Sequence, residues 1–148
     1  MSKADSAGAR SRSRELILQA LYQKQLTGYD CGQLVRQFKE RDEYGRVDQE
    51  YFNEILPLIC QSQTELEAKI SELADRPLSL LDPVEIAILL LGFFELTERY
   101  DVPYRVVINE SVNLAKRFGA VDGYKYINAL LDKAADKLRP EEAFKSTK

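Results

Sequence analysis

The sequence predicts an all-α fold of about seven helices. Nearly every segment repeats its apolar residues at a spacing of 3.6, no stretch alternates convincingly at period two, and helix start and stop residues punctuate the chain. Its 148 residues suffice for one body that buries roughly two-thirds of its unfolded surface. Residues 10–140 read as a single helical domain, with a flexible leader at 1–9 and a polar tail at 141–148.

The first helix is expected from Ser13 to Thr27, with Ile17, Leu18, Leu21 and Leu26 inward and Gly28 as its stop. A shorter helix over Gly32 to Glu40 buries Leu34, Val35 and Phe38. Asp48 suits the cap of a third, which presents Tyr51, Phe52, Ile55, Leu56 and Ile59 and contains Pro57. Ser62 and Glu65 have capping-box spacing ahead of Leu66, Ile70 and Leu73, so a new helix or a continuation of the third both fit. "LDPVE" is the strongest start signal. Asp82 caps, Pro83 takes the first helical position, Glu85 completes the box, and the apolar run that follows belongs at the centre of the fold. Pro103 opens a helix that runs to Phe118 and buries Ile108, Val112, Ala115 and Phe118, with Gly119 as its stop. Asp122 is expected to cap the last, whose inward stripe is Ile127, Leu130, Leu131, Ala134 and Leu138, and Arg139-Pro140 ends it.

The chain contains no histidine, which removes imidazole ligands, imidazole bases and every histidine-containing triad. Cys31 and Cys60 lack CxxC spacing and read as small, buried, reduced side chains. No apolar stretch approaches the ~20 residues that a membrane span requires. Glycine-rich phosphate loops, HExxH and GxSxG are absent, and Glu95 and Glu98 read as a solvated helix rim rather than a catalytic pair.

Charge is uneven. The net charge is -3, yet residues 1–14 hold Lys3, Arg10, Arg12 and Arg14 against Asp5. From Glu65 to Glu98, eight acids face only Lys69 and Arg76. Such asymmetry suits an anion near the N-terminus and a basic protein near the middle. Three arginines at a helix start add cations to a positive dipole end, so they are either a solvated lead-in or a phosphate site. Further along, Asp122, Lys125 and Tyr126 would place an acceptor, a cation and a ring on adjacent surface, and Tyr22 is expected to stay partly exposed. Unpaired RNA bases stack on such rings. Asp122 is equally an adequate cap, and Tyr126 equally ordinary core.

Three segments, "ARSRSRELILQALYQ", "ELTERYDVPYRVVINESVNLAKRFGA" and "KYINALLDKAADKLRP", resemble the NusB family of bacterial transcription antitermination factors. The middle one carries VPY, INE, LAK and FG in order, and the resemblance spans Ala9 to Pro140. It implies two small helical bundles packed together in a cytoplasmic, non-enzymatic protein without cofactor or metal. Such a protein binds the boxA element of nascent ribosomal RNA transcripts as a heterodimer with NusE, a small-subunit ribosomal protein. The pair joins RNA polymerase and other Nus factors, and polymerase then passes terminators. The same resemblance assigns RNA contacts to Arg10, Arg12, Arg14, Tyr22, Asp122, Lys125 and Tyr126, and partner contact to Glu85. Ser11, Tyr126 and Ala129 depart from the family's frequent Arg, Phe and Gly. A protein-only adaptor that docks NusE or polymerase without touching RNA is the alternative, and a homodimer is a further state that some members adopt.

Overall fold

A computed structural model describes residues 3–146, and the side chains of residues 8–143. It contains seven α-helices and no strand among the described residues: α1 Lys3–Thr27, α2 Cys31–Lys39, α3 Gln49–Leu73, α4 Pro83–Glu98, α5 Tyr104–Phe118, α6 Gly123–Leu138 and α7 Pro140–Ser146. The chain divides into two compact units, Met1–Ser62 and Gln63–Lys148, with the division inside α3.

In the first unit, Leu16, Ile17 and Leu21 of α1, Leu34 and Phe38 of α2, and Phe52, Ile55, Leu56 and Ile59 of α3 are buried. Phe38 stacks on Phe52 with centroids 6.4 Å apart, and Tyr44 meets the same ring edge-on at 5.8 Å. Asp30 caps α2 in a reciprocal box with Gln33, so that helix starts at Cys31. Asp48 accepts from the Tyr51 amide and opens α3 as expected. Gly28 lies just past α1 at φ 73, the left-handed conformation that stops a helix, and its amide reaches the Lys24 carbonyl.

Three expectations for this unit are corrected. The first helix begins at Lys3 rather than Ser13, so the backbone assigned to a leader is helical from that point. The segment before the α3 cap lies against it: the Asp48 amide donates to the Ala9 carbonyl, and the buried Ser13 hydroxyl bonds the carbonyls of Ala9 and Asp48. Ser13 thus ties α1 to that segment instead of capping a helix. Leu26 is 60% exposed, because five residues from Leu21 turn it away from the buried stripe. Cys31 and Cys60 are free but only half-buried.

α3 runs unbroken through Pro57 and through Ser62–Glu65, which resolves the choice in favour of one helix. The "SQTE" spacing is not a cap here.

In the second unit, α4 is buried on all sides from Ala87 to Leu96, and α5 and α6 pack on it and on each other. Gly92 permits the close approach: a Cβ there would stand 3.1 Å from Leu131 and 3.2 Å from Ser111. Asp82 and Glu85 form the expected capping box, with Pro83 at the first helical position. Val112, Phe118 and Leu138 are half-buried rather than fully inward.

One further expectation fails here. Glu95 is 1% exposed, because it lies on the side-to-side buried part of α4, so it is no solvated rim. Pro140–Ser146 form α7, since Pro140 ends α6 yet its fixed φ suits the first position of another helix. Between them, Arg139 is 3% exposed and donates to the carbonyls of Leu96, Val102, Glu95 and Arg99 at 2.6 to 2.9 Å. It ties together the carbonyls of the last turn of α4 and of the turn that follows it. Glu142 holds the same guanidinium at 3.1 Å and accepts from the Tyr104 amide at the head of α5.

Candidate nucleic-acid interface

The arginines do not sit at a positive helix end. Because α1 begins at Lys3, Arg10, Arg12 and Arg14 lie in its second to fourth turns, beyond the reach of the terminal N–H groups. The dipole conflict posed by the sequence is therefore absent, and each side chain has its own setting.

Arg10 and Arg14 share a face, four residues apart, and both turn toward Tyr51 of α3. Their guanidinium carbons lie 4.4 Å and 5.5 Å from its ring centroid. Arg10 also pairs with Asp48 at 3.6 Å and stays about one-third exposed. Arg14 is only 3% exposed, because the helix register drives it into the unit. Arg12 is exposed on another face, and its Nε donates to the Arg46 carbonyl at 2.7 Å. That bond brings the exposed Arg46 beside Arg12, a juxtaposition with no local signal in the sequence. Tyr22, also in this unit, is half-buried.

The second unit gathers another set. Asp122 adopts φ 66, a left-handed conformation, and makes no side-chain cap bond, so it does not cap α6. Helix caps need an extended backbone, which Asp122 lacks. The Asp-Gly pair, a turn signal, was the clue in the sequence. Its carboxylate instead faces Lys125 at 3.5 Å, with both side chains about two-thirds exposed. Nearby in sequence, Tyr124 receives Lys116 over its ring at 4.8 Å.

Tyr126 is half-buried, and Arg76 covers its ring at 4.3 Å from the centroid. Its hydroxyl is enclosed with no hydrogen-bond partner. Burial first, then the Asp75 carboxylate, push its ionisation above the ordinary tyrosine range. Glu85 acts on the same ring, and its own ionisation is raised by burial and by Asp82 alongside. The structure thus brings Glu85, Asp75 and Arg76 together around Tyr126, four residues spread over three elements.

Among the described residues, no cluster of three or more His, Cys, Asp or Glu could hold a metal ion, and no helix is long and apolar enough to cross a membrane. Cys31 and Cys60 hydrogen-bond each other, and the Cys31 thiol also reaches the Leu56 carbonyl at 3.7 Å. The Cys60 bond lowers the ionisation of Cys31 and raises that of Cys60.

The sequence profile of the NusB family matches residues 11–136. The chain belongs to the NusB family. Among its NusB relatives, the transcription antitermination protein NusB of Alcanivorax borkumensis is 46% identical over 143 residues, covering 97% of this chain and 95% of the relative. That of Nitrosococcus oceani is 47% identical over 133 residues, covering 90% and 89%. That of Marinomonas sp. is 46% identical over 143 residues, covering 95% and 82%. The solved structure of T. maritima NusB matches with a TM-score of 0.77 at 27% identity, over 92% of this chain and 96% of that one. The NusB fold expected from the sequence, all-helical with seven helices, is the fold observed.

Proposed function

We propose that this NusB-family chain is a transcription antitermination protein. It binds boxA RNA of nascent ribosomal RNA transcripts as a heterodimer with NusE, and joins RNA polymerase with other Nus factors in the cytoplasm. The observation that carries the reading is near-full-length identity of 46 to 47% to relatives named transcription antitermination protein NusB.

The surface chemistry supports it. Arg12 offers an exposed guanidinium and Arg10 a part-exposed one to phosphates, and such contacts position a strand without reading it. Lys125 adds a cation that its exposed pairing with Asp122 leaves free to exchange partners, since an ion pair of that kind is worth about 0–1 kcal/mol. Asp122 offers an acceptor to base amino groups. Tyr22 and Tyr126 supply aromatic surface, the latter beneath Arg76. Arg14 backs Tyr51 from inside and contacts no RNA. Glu85 meets NusE, and the exposed acids Glu65, Glu72, Asp75 and Glu98 suit a basic ribosomal protein. No reaction is catalysed, and neither metal nor cofactor takes part.

The test is a titration of boxA RNA and a scrambled RNA against the chain alone and against its complex with NusE, at fixed salt. The proposal predicts preference for boxA, strengthened by NusE and weakened by Arg12→Ala and Lys125→Ala. If NusE binds but RNA affinity ignores these substitutions, the chain is a protein-only adaptor.

A further inference from the structure

Tyr126 does not present a bare ring. The face toward Arg76 is occupied by a guanidinium whose carbon lies 4.3 Å from the centroid, and the enclosed hydroxyl offers a base no hydrogen bond. Arg76, on the connection between α3 and α4, is exposed above that face. Its Nε donates to Oδ1 of Asp75 at 3.1 Å, while 47% of the side chain remains exposed.

A guanidinium held 4.3 Å over a ring and tethered at its edge is a prepared surface. Its faces are weakly hydrated, and unpaired bases stack on such planes as they do on aromatic side chains. The surrounding charge selects what arrives. Asp75 is bonded to the guanidinium, and Asp75 and Glu85 both act on the ring that Arg76 covers. Two carboxylates offset the one cation and repel a phosphate, whereas a neutral base loses nothing by their presence.

We propose that Arg76 is a base platform: one unpaired base of single-stranded RNA stacks on the outward face of its guanidinium, with Tyr126 as the backing layer and Asp75 as the tether. The assignment rests on the RNA-binding reading above and adds a residue that the sequence did not single out.

The experiment uses the full chain in complex with NusE, and boxA RNA in which one base at a time is removed to leave an abasic nucleotide with its phosphate. Arg76→Lys keeps the charge and removes the plane, and Arg76→Ala removes both. Thermal melts of both variants matching the parent show that the fold is kept.

Arg76→Lys is expected to weaken parent RNA roughly five- to hundredfold, the range of one stacked base. One abasic position should weaken the parent protein by a similar factor and leave Arg76→Lys unaffected. Arg76→Ala should weaken parent RNA at least as much as Arg76→Lys and leave the salt slope unchanged. Effects of Arg76→Lys and base removal that add at every position overturn the platform, as does a slope that flattens by about 0.7 in Arg76→Ala, which marks a phosphate contact. Loss of NusE affinity without RNA overturns it in favour of a protein contact. A parent complex that binds no RNA overturns the RNA reading itself, a result distinct from all of these.

Discussion

The sorting of the three arginines yields the sharpest prediction. Arg12 is exposed and makes a hydrogen bond to a carbonyl, so Arg12→Ala should lower stability by no more than about 0.5 kcal/mol. Arg10 adds a part-exposed ion pair and a ring contact, together worth about 1 kcal/mol after solvent screening. Arg14 is 3% exposed, and Arg14→Ala should cost about 2–4 kcal/mol through lost packing and abandoned partners. RNA binding should rank them oppositely. Each phosphate neutralised contributes a slope of roughly -0.7 in log affinity against log salt for single strands. The Arg10→Ala/Arg12→Ala double variant should therefore flatten the slope by about 1.4, so that raising salt from about 50 to about 200 mM costs it roughly sevenfold less affinity than it costs the parent. Urea melts and anisotropy titrations across a salt series measure the two rankings. A double variant with the parent slope, or an Arg14→Ala variant that keeps its stability while flattening the slope, refutes the reasoning.

The second unit supplies three more predictions. Arg139→Met removes the guanidinium that bonds the carbonyls of Glu95, Leu96, Arg99 and Val102 at the end of α4 and in the turn after it and should lower stability by about 3–5 kcal/mol in urea melts, while Arg139→Lys recovers part of the loss. Asp122→Gly removes the left-handed strain of a residue that caps nothing, so it should raise stability by up to about 1 kcal/mol while weakening RNA binding. Glu85 has its ionisation raised in the folded chain by burial and by Asp82, so folding favours its protonated form. That contribution is fully present below the ordinary glutamate range and is lost as pH rises through the raised folded value. Glu85→Gln keeps an acceptor for the Asp82 amide and has no such dependence. It should therefore match or exceed parent stability at neutral pH, with the difference vanishing in acid, as measured by melts between pH 3 and 7.

Local signals in the sequence were legible where one element sufficed. "LDPVE" carries cap, proline and glutamate within four residues, and all three act as read. Gly28 and Gly119 both follow helix ends as read, the first in the left-handed conformation and the second with extended backbone. Errors came where tertiary ties override the local choice. Ser13 looks like a start, yet its hydroxyl serves the segment preceding α3. "SQTE" has cap spacing inside an uninterrupted helix. Arg14 lies on the stripe of Ile17, Leu18 and Leu21 wherever the helix starts, and the start ten residues earlier than expected removes only the dipole argument. Arg76 over Tyr126 was illegible because fifty positions separate them in the chain. Asp30 and Gln33 have capping-box spacing, and the helix they open begins one residue before the expected Gly32.

Read-through of a terminator measures the central claim directly. A template carrying boxA upstream of a terminator is transcribed by RNA polymerase with NusE and the other Nus factors, with and without this chain. Read-through should rise when the parent chain is added, fall back toward baseline with the Arg10→Ala/Arg12→Ala variant, and stay at baseline when boxA is scrambled. Equal read-through with and without the chain, or a rise that persists on the scrambled template, contradicts the account.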